Sequence, residues 1–327
     1  MARGVTLWRK RSDAWATMSA AAPRANIRAD ILEKDYWNSQ VLRTASRLHP
    51  TDFVFKGGTS LSKAYKCTQR FSEDIDVLIL RRELGSGTRD KLMKKIVDDA
   101  REELELALDP SRHSHGRGEH LTEALIYPRQ VTGGAILSPD VLLEMGIRGS
   151  DEPPHLILPI EPLITGLLRE ANFDVDDYED LVPFTVPVLH PGRTLVEKML
   201  MLHTKVTSGT WSKGGALNDP SRIGRHYHDI HRLLELPSVR EWLENREEFL
   251  AAVADHEVIN RECFDIEVPP RPAGGYSKSD AFRSDFDDNN RLSSFYEGAM
   301  NDLFIGPGTP PPWLDVMTTL QGAAELL

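Results

Sequence analysis

Residues 53–80 read FVFKGGTSLSKAYKCTQRFSEDIDVLIL. Phe53, Val54 and Phe55 form a short apolar run, and Lys56 leads into the doublet Gly57-Gly58. Thr59 and Ser60 open a segment of helical character, and Asp74-Ile75-Asp76 runs on into Val77-Leu78-Ile79-Leu80. The pattern predicts strand, tight glycine turn, short helix and second strand. Side chains alternate along a strand, so Asp74 and Asp76 share one face. Two carboxylates held that close repel, and a divalent cation with oxygen ligands is the usual resolution. A glycine turn at a helix start presents backbone N–H groups suited to phosphate. Phosphate grip and metal seat in one small unit point to nucleotide chemistry.

The composition bounds what surrounds this unit. At 327 residues the chain is long enough for two domains. Its 40% hydrophobic and 27% charged residues are those of an ordinary soluble protein. The formal charge of -11 argues against coating nucleic acid through bulk electrostatics but leaves room for a local basic path. The two cysteines, Cys67 and Cys263, provide neither a disulfide framework nor a zinc pattern, as expected in a reducing cytoplasm. Arg3, Arg9, Lys10 and Arg11 are followed by no continuous apolar stretch, so neither a signal peptide nor a membrane span is expected.

The expected organisation is an arm at 1–26, an α/β (α+β) domain at 27–190 and a mostly helical domain at 191–327. Residues 27–48 carry a helical pattern with Ile27, Ile31, Tyr36, Val41, Leu42 and Leu48 as candidate buried positions. Residues 89–108 read as a charged amphipathic helix, and 124–127 and 141–147 as strands. Pro153, Pro154, Pro159 and Pro162 read as a connector, and the acidic run 173–180 as solvated, with a boundary near 185–192. Helical patterns follow from Thr194, from Ser221, over 238–256 and over 291–303, with a short one at the end.

Several polar residues stand out along the way. His113, His115 and His120 could bind metal, but a solvated loop is the simpler reading because no carboxylate or cysteine spacing supports a closed site. Glu144 sits between apolar strand residues. It either faces solvent from an edge or joins the two aspartates, since an unpaired buried carboxylate is costly. Lys198 interrupts the stripe Leu195, Met199, Leu202 and Val206, and Asp229 balances the basic face of RIGRHYHDIHRLLEL. Taken alone, both read as structural or solvated.

A glycine turn at a helix start followed by an Asp-x-Asp strand is the signature of the nucleotidyltransferase superfamily related to DNA polymerase β. Fifteen residues separate Gly58 from Asp74, long for its minimal members. The fuller form is FKGGTSLSKAY with RFSEDIDVLI, together with LEKDYWNSQVLR, LVEKML and RHYHDIHRL. It resembles the AbiEii toxin family, including the mycobacterial MenT-type toxins, over roughly residues 31–234. The resemblance implies a nucleotidyltransferase core, a small mixed sheet flanked by helices, completed by a helical C-terminal domain. It implies that Gly57, Gly58, Thr59 and Ser60 hold the triphosphate and that Asp74 and Asp76 bind metal, with Glu144 as third carboxylate. It also implies that Lys198 balances triphosphate charge, and that Asp229 either orients Lys198 or contacts the base or ribose.

Two Mg²⁺ ions, NTP as substrate and pyrophosphate release are further implications of the resemblance. So are the 3′ end of tRNA as acceptor, blocked translation, a role in toxin–antitoxin or phage-defence systems, and a cognate antitoxin. Arg9, Lys10, Arg11, Lys63, Lys66, Arg70, Arg81, Arg82, Arg222, Arg225 and Arg232 are the basic positions available to an RNA acceptor. Alternatives are a transferase that modifies a protein hydroxyl, a nucleotide-binding module without catalysis, and a plain turn and strand edge with no function. Phosphate on Thr59 or Ser60 would occupy the triphosphate seat. The active site is expected in a cleft between the two halves.

Overall fold

Helix α1 (Ala14–Ala21) follows a single turn of 3-10 helix at Trp8–Lys10, and helix α2 (Ala29–Leu48) runs behind the sheet. The structure, a computed structural model, describes residues 6–80, 83–131, 137–147, 154–212, 219–305 and 308–327. Strand β1 (Phe53–Lys56), helix α3 (Gly57–Lys63) and strand β2 (Asp74–Ile79) then form the turn-and-strand unit quoted above. Helix α4 (Ser86–Leu104) leads to β3 (Ala107–Leu108), β4 (Ser114–Gly116), β5 (His120–Ile126) and β6 (Asp140–Gly146). Next come β7 (His155–Ile160), α5 (Leu163–Glu170) and β8 (Phe184–Leu189). The rest is helical: α6 (Pro191–Thr207), α7 (Pro220–Glu235), α8 (Pro237–Glu244), α9 (Arg246–Phe264), α10 (Asn289–Leu303) and α11 (Trp313–Gly322).

The eight strands form one mixed sheet in the order β3-β5-β6-β2-β1-β8-β7, with β4 also on β5. Within it β2 lies antiparallel to β1 and parallel to β6, with Asp76 opposite Lys56 on one side and Glu144 on the other. Alternation divides the two faces cleanly. Ile75, Val77 and Ile79 of β2 and Val141, Leu143 and Met145 of β6 enter one hydrophobic core, which gathers residues from Trp8 to Val188. Asp74, Asp76 and Glu144 lie on the opposite face, as a period of two demands. A second core gathers residues from Leu195 to Leu327 together with Leu61 and Cys67. The underside of α3 therefore packs with the C-terminal helices.

Differences from the sequence reading have local causes. The helix expected over 89–108 ends at Leu104, where Glu105 takes a left-handed conformation (φ 57°), and Ala107–Leu108 pairs with β5. The proline-rich segment is not a bare connector: residues 155–160 form β7 at the sheet edge, where Pro159 has no inner ladder on its far side to break. Residues 184–189, expected at a boundary, pair with both β7 and β1. Asn245 splits the expected helix 238–256 by capping α9, its side chain accepting from the Glu248 N–H. In the acidic run Asp174, Asp176 and Asp177 are exposed, but Asp180 is buried. Asp180 accepts from the Trp8 N–H (2.7 Å), the Arg9 N–H (3.1 Å) and the Tyr36 hydroxyl (2.6 Å), pinning the N-terminal arm to α2.

Candidate active site

The sheet contributes a wall of carboxylates. Asp76 and Glu144 are direct neighbours across the parallel pair, and Asp74 lies two residues along the same face. Burial, then the charges of Asp76 and Glu73, pushes the Asp74 carboxyl up to about 6, with Arg225 pulling the other way. Burial, then the charge of Asp76 and a hydrogen bond with it, pushes Glu144 up to about 8, opposed by Arg222. Glu144 is thus no solvent-facing edge residue: it stands half-buried beside the aspartates.

The glycine turn is shaped by this wall. Gly57 has φ +74°, and a Cβ there would lie 2.1 Å from Asp76 Oδ2, so no other residue fits without moving the carboxylate. A Cβ on Gly58 would lie 2.5 Å from Arg70 Nη2 and 2.9 Å from Ser72 Oγ. Thr59 and Ser60 are buried, and their hydroxyls are already committed. Thr59 Oγ1 donates to the Asp74 carbonyl, and Ser60 Oγ donates to the Gly57 carbonyl (2.8 Å). Thr59 thus ties the turn to β2 and Ser60 braces the turn itself, so neither hydroxyl is left for a ligand.

The C-terminal helices contribute a wall of cations. On α6, Lys198 Nζ lies 2.9 Å from Asp229 Oδ2 and 3.5 Å from His226 Nδ1. Asp229 is fully buried and also receives a two-pronged hydrogen bond from Arg70, Nε to Oδ1 at 2.7 Å and Nη2 to Oδ2 at 2.6 Å. Burial alone would raise the Asp229 carboxyl, but Arg70 and Lys198 outweigh it and hold it far below the usual carboxylate range. Burial and the nearby Lys198 keep His226 neutral. Arg222 and Arg225, half-buried on α7, are the cations felt by Glu144 and Asp74 respectively. The two walls face each other.

Several other basic positions are committed elsewhere. Lys63 is buried against Asp35 at 2.5 Å, and Arg70 is buried on Asp229, so neither is open to an RNA acceptor. Arg11 is engaged by Asp13 and the Tyr178 hydroxyl. Arg232 donates to the Cys67 carbonyl (3.0 Å) and pairs with Glu235. Lys66 is exposed, and Arg81 and Arg82 lie outside the described residues. The histidine patch forms part of the β4–β5 hairpin, where His113 meets Glu123 at 2.8 Å and His115 meets Asp90 at 2.5 Å. Among the described residues no group of three or more His, Cys, Asp or Glu side chains is gathered as a ready metal cage.

The family described as nucleotidyl transferase AbiEii toxin, type IV toxin–antitoxin system, matches residues 40–304. The chain belongs to the AbiEii nucleotidyltransferase toxin family. A search of curated protein sequences yields no match. Among solved structures the chain is similar to MenT4, a nucleotidyltransferase toxin from Mycobacterium tuberculosis H37Rv. The TM-score is 0.53 at 16% identity, over 95% of this chain and 88% of that one, a likeness of fold.

Although no closed cage is gathered among the described residues, the donors of this AbiEii protein are of the type that suits a hard divalent cation. Asp74, Asp76 and Glu144 offer oxygen ligands only, from adjoining strands, and burial followed by mutual repulsion already raises Asp74 and Glu144 toward neutrality. A divalent ion would relieve that repulsion. In the sequence Arg70 stands only among the basic positions available to an RNA acceptor, and its place at the site comes from the structure. The signal was its position, four residues before Asp74 in a motif with an otherwise unexplained length. No described helix is long and apolar enough to cross a membrane.

Proposed function

We propose that this site transfers a nucleotide from NTP to an acceptor hydroxyl, most simply at the 3′ end of tRNA, as the toxin of a cytoplasmic toxin–antitoxin pair. The observation that carries the reading is the opposition of the two walls: carboxylates on β2 and β6 answer to Arg225 and Arg222 on α7. Asp74, Asp76 and Glu144 would hold Mg²⁺, which would neutralise the triphosphate and make the acceptor hydroxyl more acidic. The N–H groups following Gly58 receive phosphate oxygens at the start of α3, and Lys198 adds a point charge. Arg222 and Arg225 bind the pyrophosphate as it leaves or the acceptor's backbone. Glu144, directly across from Asp76, would either ligate Mg²⁺ or accept the proton of the attacking hydroxyl. Asp229 orients Lys198 and does not reach the nucleotide, because it is fully buried.

A second reading, transfer to a protein hydroxyl, is favoured by the net charge of -11 and by the burial of Lys63 and Arg70. Both readings are tested by incubating the protein with Mg²⁺, each α-labelled NTP in turn, total RNA and cell lysate. The first predicts label on RNA, lost in Asp76→Ala. Label on protein alone would favour the second, and no label with any NTP would remove both. A cognate antitoxin is expected to suppress the labelling.

A further inference from the structure

The segment between α3 and β2 is where the two halves of the molecule are sewn together. The Phe71 N–H donates to the Leu303 carbonyl (2.8 Å) and the Ile305 N–H to the Gln69 carbonyl (3.0 Å), with Arg70 paired to Phe304 as a β-bridge. Arg232 of α7 reaches the Cys67 carbonyl at 3.0 Å. Arg70 lies at the centre of this seam. Its Nη2 holds Asp229 Oδ2, the same oxygen on which Lys198 Nζ rests, and it abuts Gly58 so closely that a Cβ there would stand 2.5 Å away.

One carboxylate thus sits between two cations. If Asp229 paired with Lys198 alone, it would cancel the lysine charge, and its carboxylate would be free to turn about its terminal torsion. With both oxygens held by Arg70, the carboxylate is fixed and its charge is answered before Lys198 approaches. One net positive charge remains at the cleft. We propose that Arg70 is a positioning residue for Lys198, fixing and neutralising Asp229 so that the lysine charge is presented to the triphosphate. The same guanidinium packs on the glycine turn, so the two phosphate-holding elements are set relative to each other by one side chain. This role rests on the nucleotidyl-transfer reading above.

The test compares Arg70→Met, Lys198→Met and the double variant, with thermal unfolding to count folded protein. Acting through Lys198, Arg70→Met should raise KM for NTP about tenfold and lower kcat, yet add less than about twofold in the Lys198→Met background. An unchanged KM, or effects that simply multiply, would overturn the proposal. A second readout needs no turnover: the rate at which acetic anhydride labels Lys198 in the NTP-free protein, read by mass spectrometry. Without the guanidinium, Asp229 holds the lysine nitrogen alone, so labelling should fall about threefold while exposed Lys66 is unchanged. Unchanged or faster labelling would overturn the proposal. Should the wild type transfer no label, the nucleotidyl-transfer reading fails by itself and the lysine labelling decides the role of Arg70. Should Arg70→Met not fold, the same measurements on Arg70→Lys decide, since one ammonium cannot hold both oxygens in a fork.

Discussion

Asp74 and Asp229 are the same residue type, both removed from water, and they end in opposite states. Burial, then the charges of Asp76 and Glu73, pushes the Asp74 carboxyl up to about 6. Asp229 lies between Arg70 and Lys198, and its carboxyl is held far below the usual range. The carboxylates on the sheet are left with repulsion that Arg225 and Arg222 only partly offset, a state that an external cation relieves. The carboxylate on α7 is satisfied from within and spends its charge on arranging two cations. One wall is built to receive and the other to hold. A paired buried acid is read here as scaffold, and a crowded unpaired set as the seat of chemistry.

Substitutions should separate the two walls by activity and stability. Asp76→Asn removes a ligand and a source of repulsion together. Nucleotide transfer should fall by about a hundredfold or more, the loss of several kcal/mol of charge stabilisation, while the melting temperature in Mg²⁺-free buffer holds or rises. A marked drop in stability would place Asp76 with the scaffold instead. Asp229→Asn should do the reverse in stability, costing about 3–5 kcal/mol because Arg70 and Lys198 are left as buried, underpaired cations. Denaturant unfolding measures this, and a cost under about 1 kcal/mol would break the contrast.

Gly57→Ala sharpens the comparison at their meeting point. The left-handed φ of +74° and the overlap with Asp76 Oδ2 should cost about 1–3 kcal/mol and displace the carboxylate, so Mg²⁺ binding by calorimetry should weaken alongside stability. The smallest effect is expected at His228, beside Asp229. It is fully buried, neither ring nitrogen has a hydrogen-bond partner among the described residues, and burial lowers it from the ordinary 6.5 to about 4. Below pH 6.5 the unfolded chain takes up this proton while the folded one does not, so stability is lost as pH falls toward about 4. His228→Leu should remove that part of the acid sensitivity, flattening melting temperature against pH. An identical slope would show that the ring is protonated in the fold.

What could be read from the sequence was local. The shared face of Asp74 and Asp76 follows from two-residue alternation, and Glu144 among Leu143 and Met145 from the same rule. The pairing of Arg70 with Asp229 spans 159 residues, and no periodicity announces it. Helix α2 misled for a related reason. Its pattern marks Ile31, Tyr36, Val41 and Leu42 as buried, and they are, but every residue from Asp30 to Leu42 is buried as well. Lys34, Asp35 and Gln40 are satisfied by Ser138, Lys63 and Asp180, partners far along the chain. Leu48, expected inside, is 40% exposed at the end of that helix. Strand β7 was obscured by Pro159 within it and the prolines flanking it, and an edge position tolerates the former.

Labelling the nucleotide at two different phosphates tests the central claim most directly. With Mg²⁺, acceptor RNA and protein present, label carried on the α-phosphate of NTP should enter the polymer, and label on the γ-phosphate should appear only as pyrophosphate. Both signals should vanish in Asp76→Asn while its folded fraction is unchanged. Incorporation of the γ-label would instead mean phosphoryl transfer. Incorporation of neither, by a folded wild-type protein given every NTP, would contradict the account.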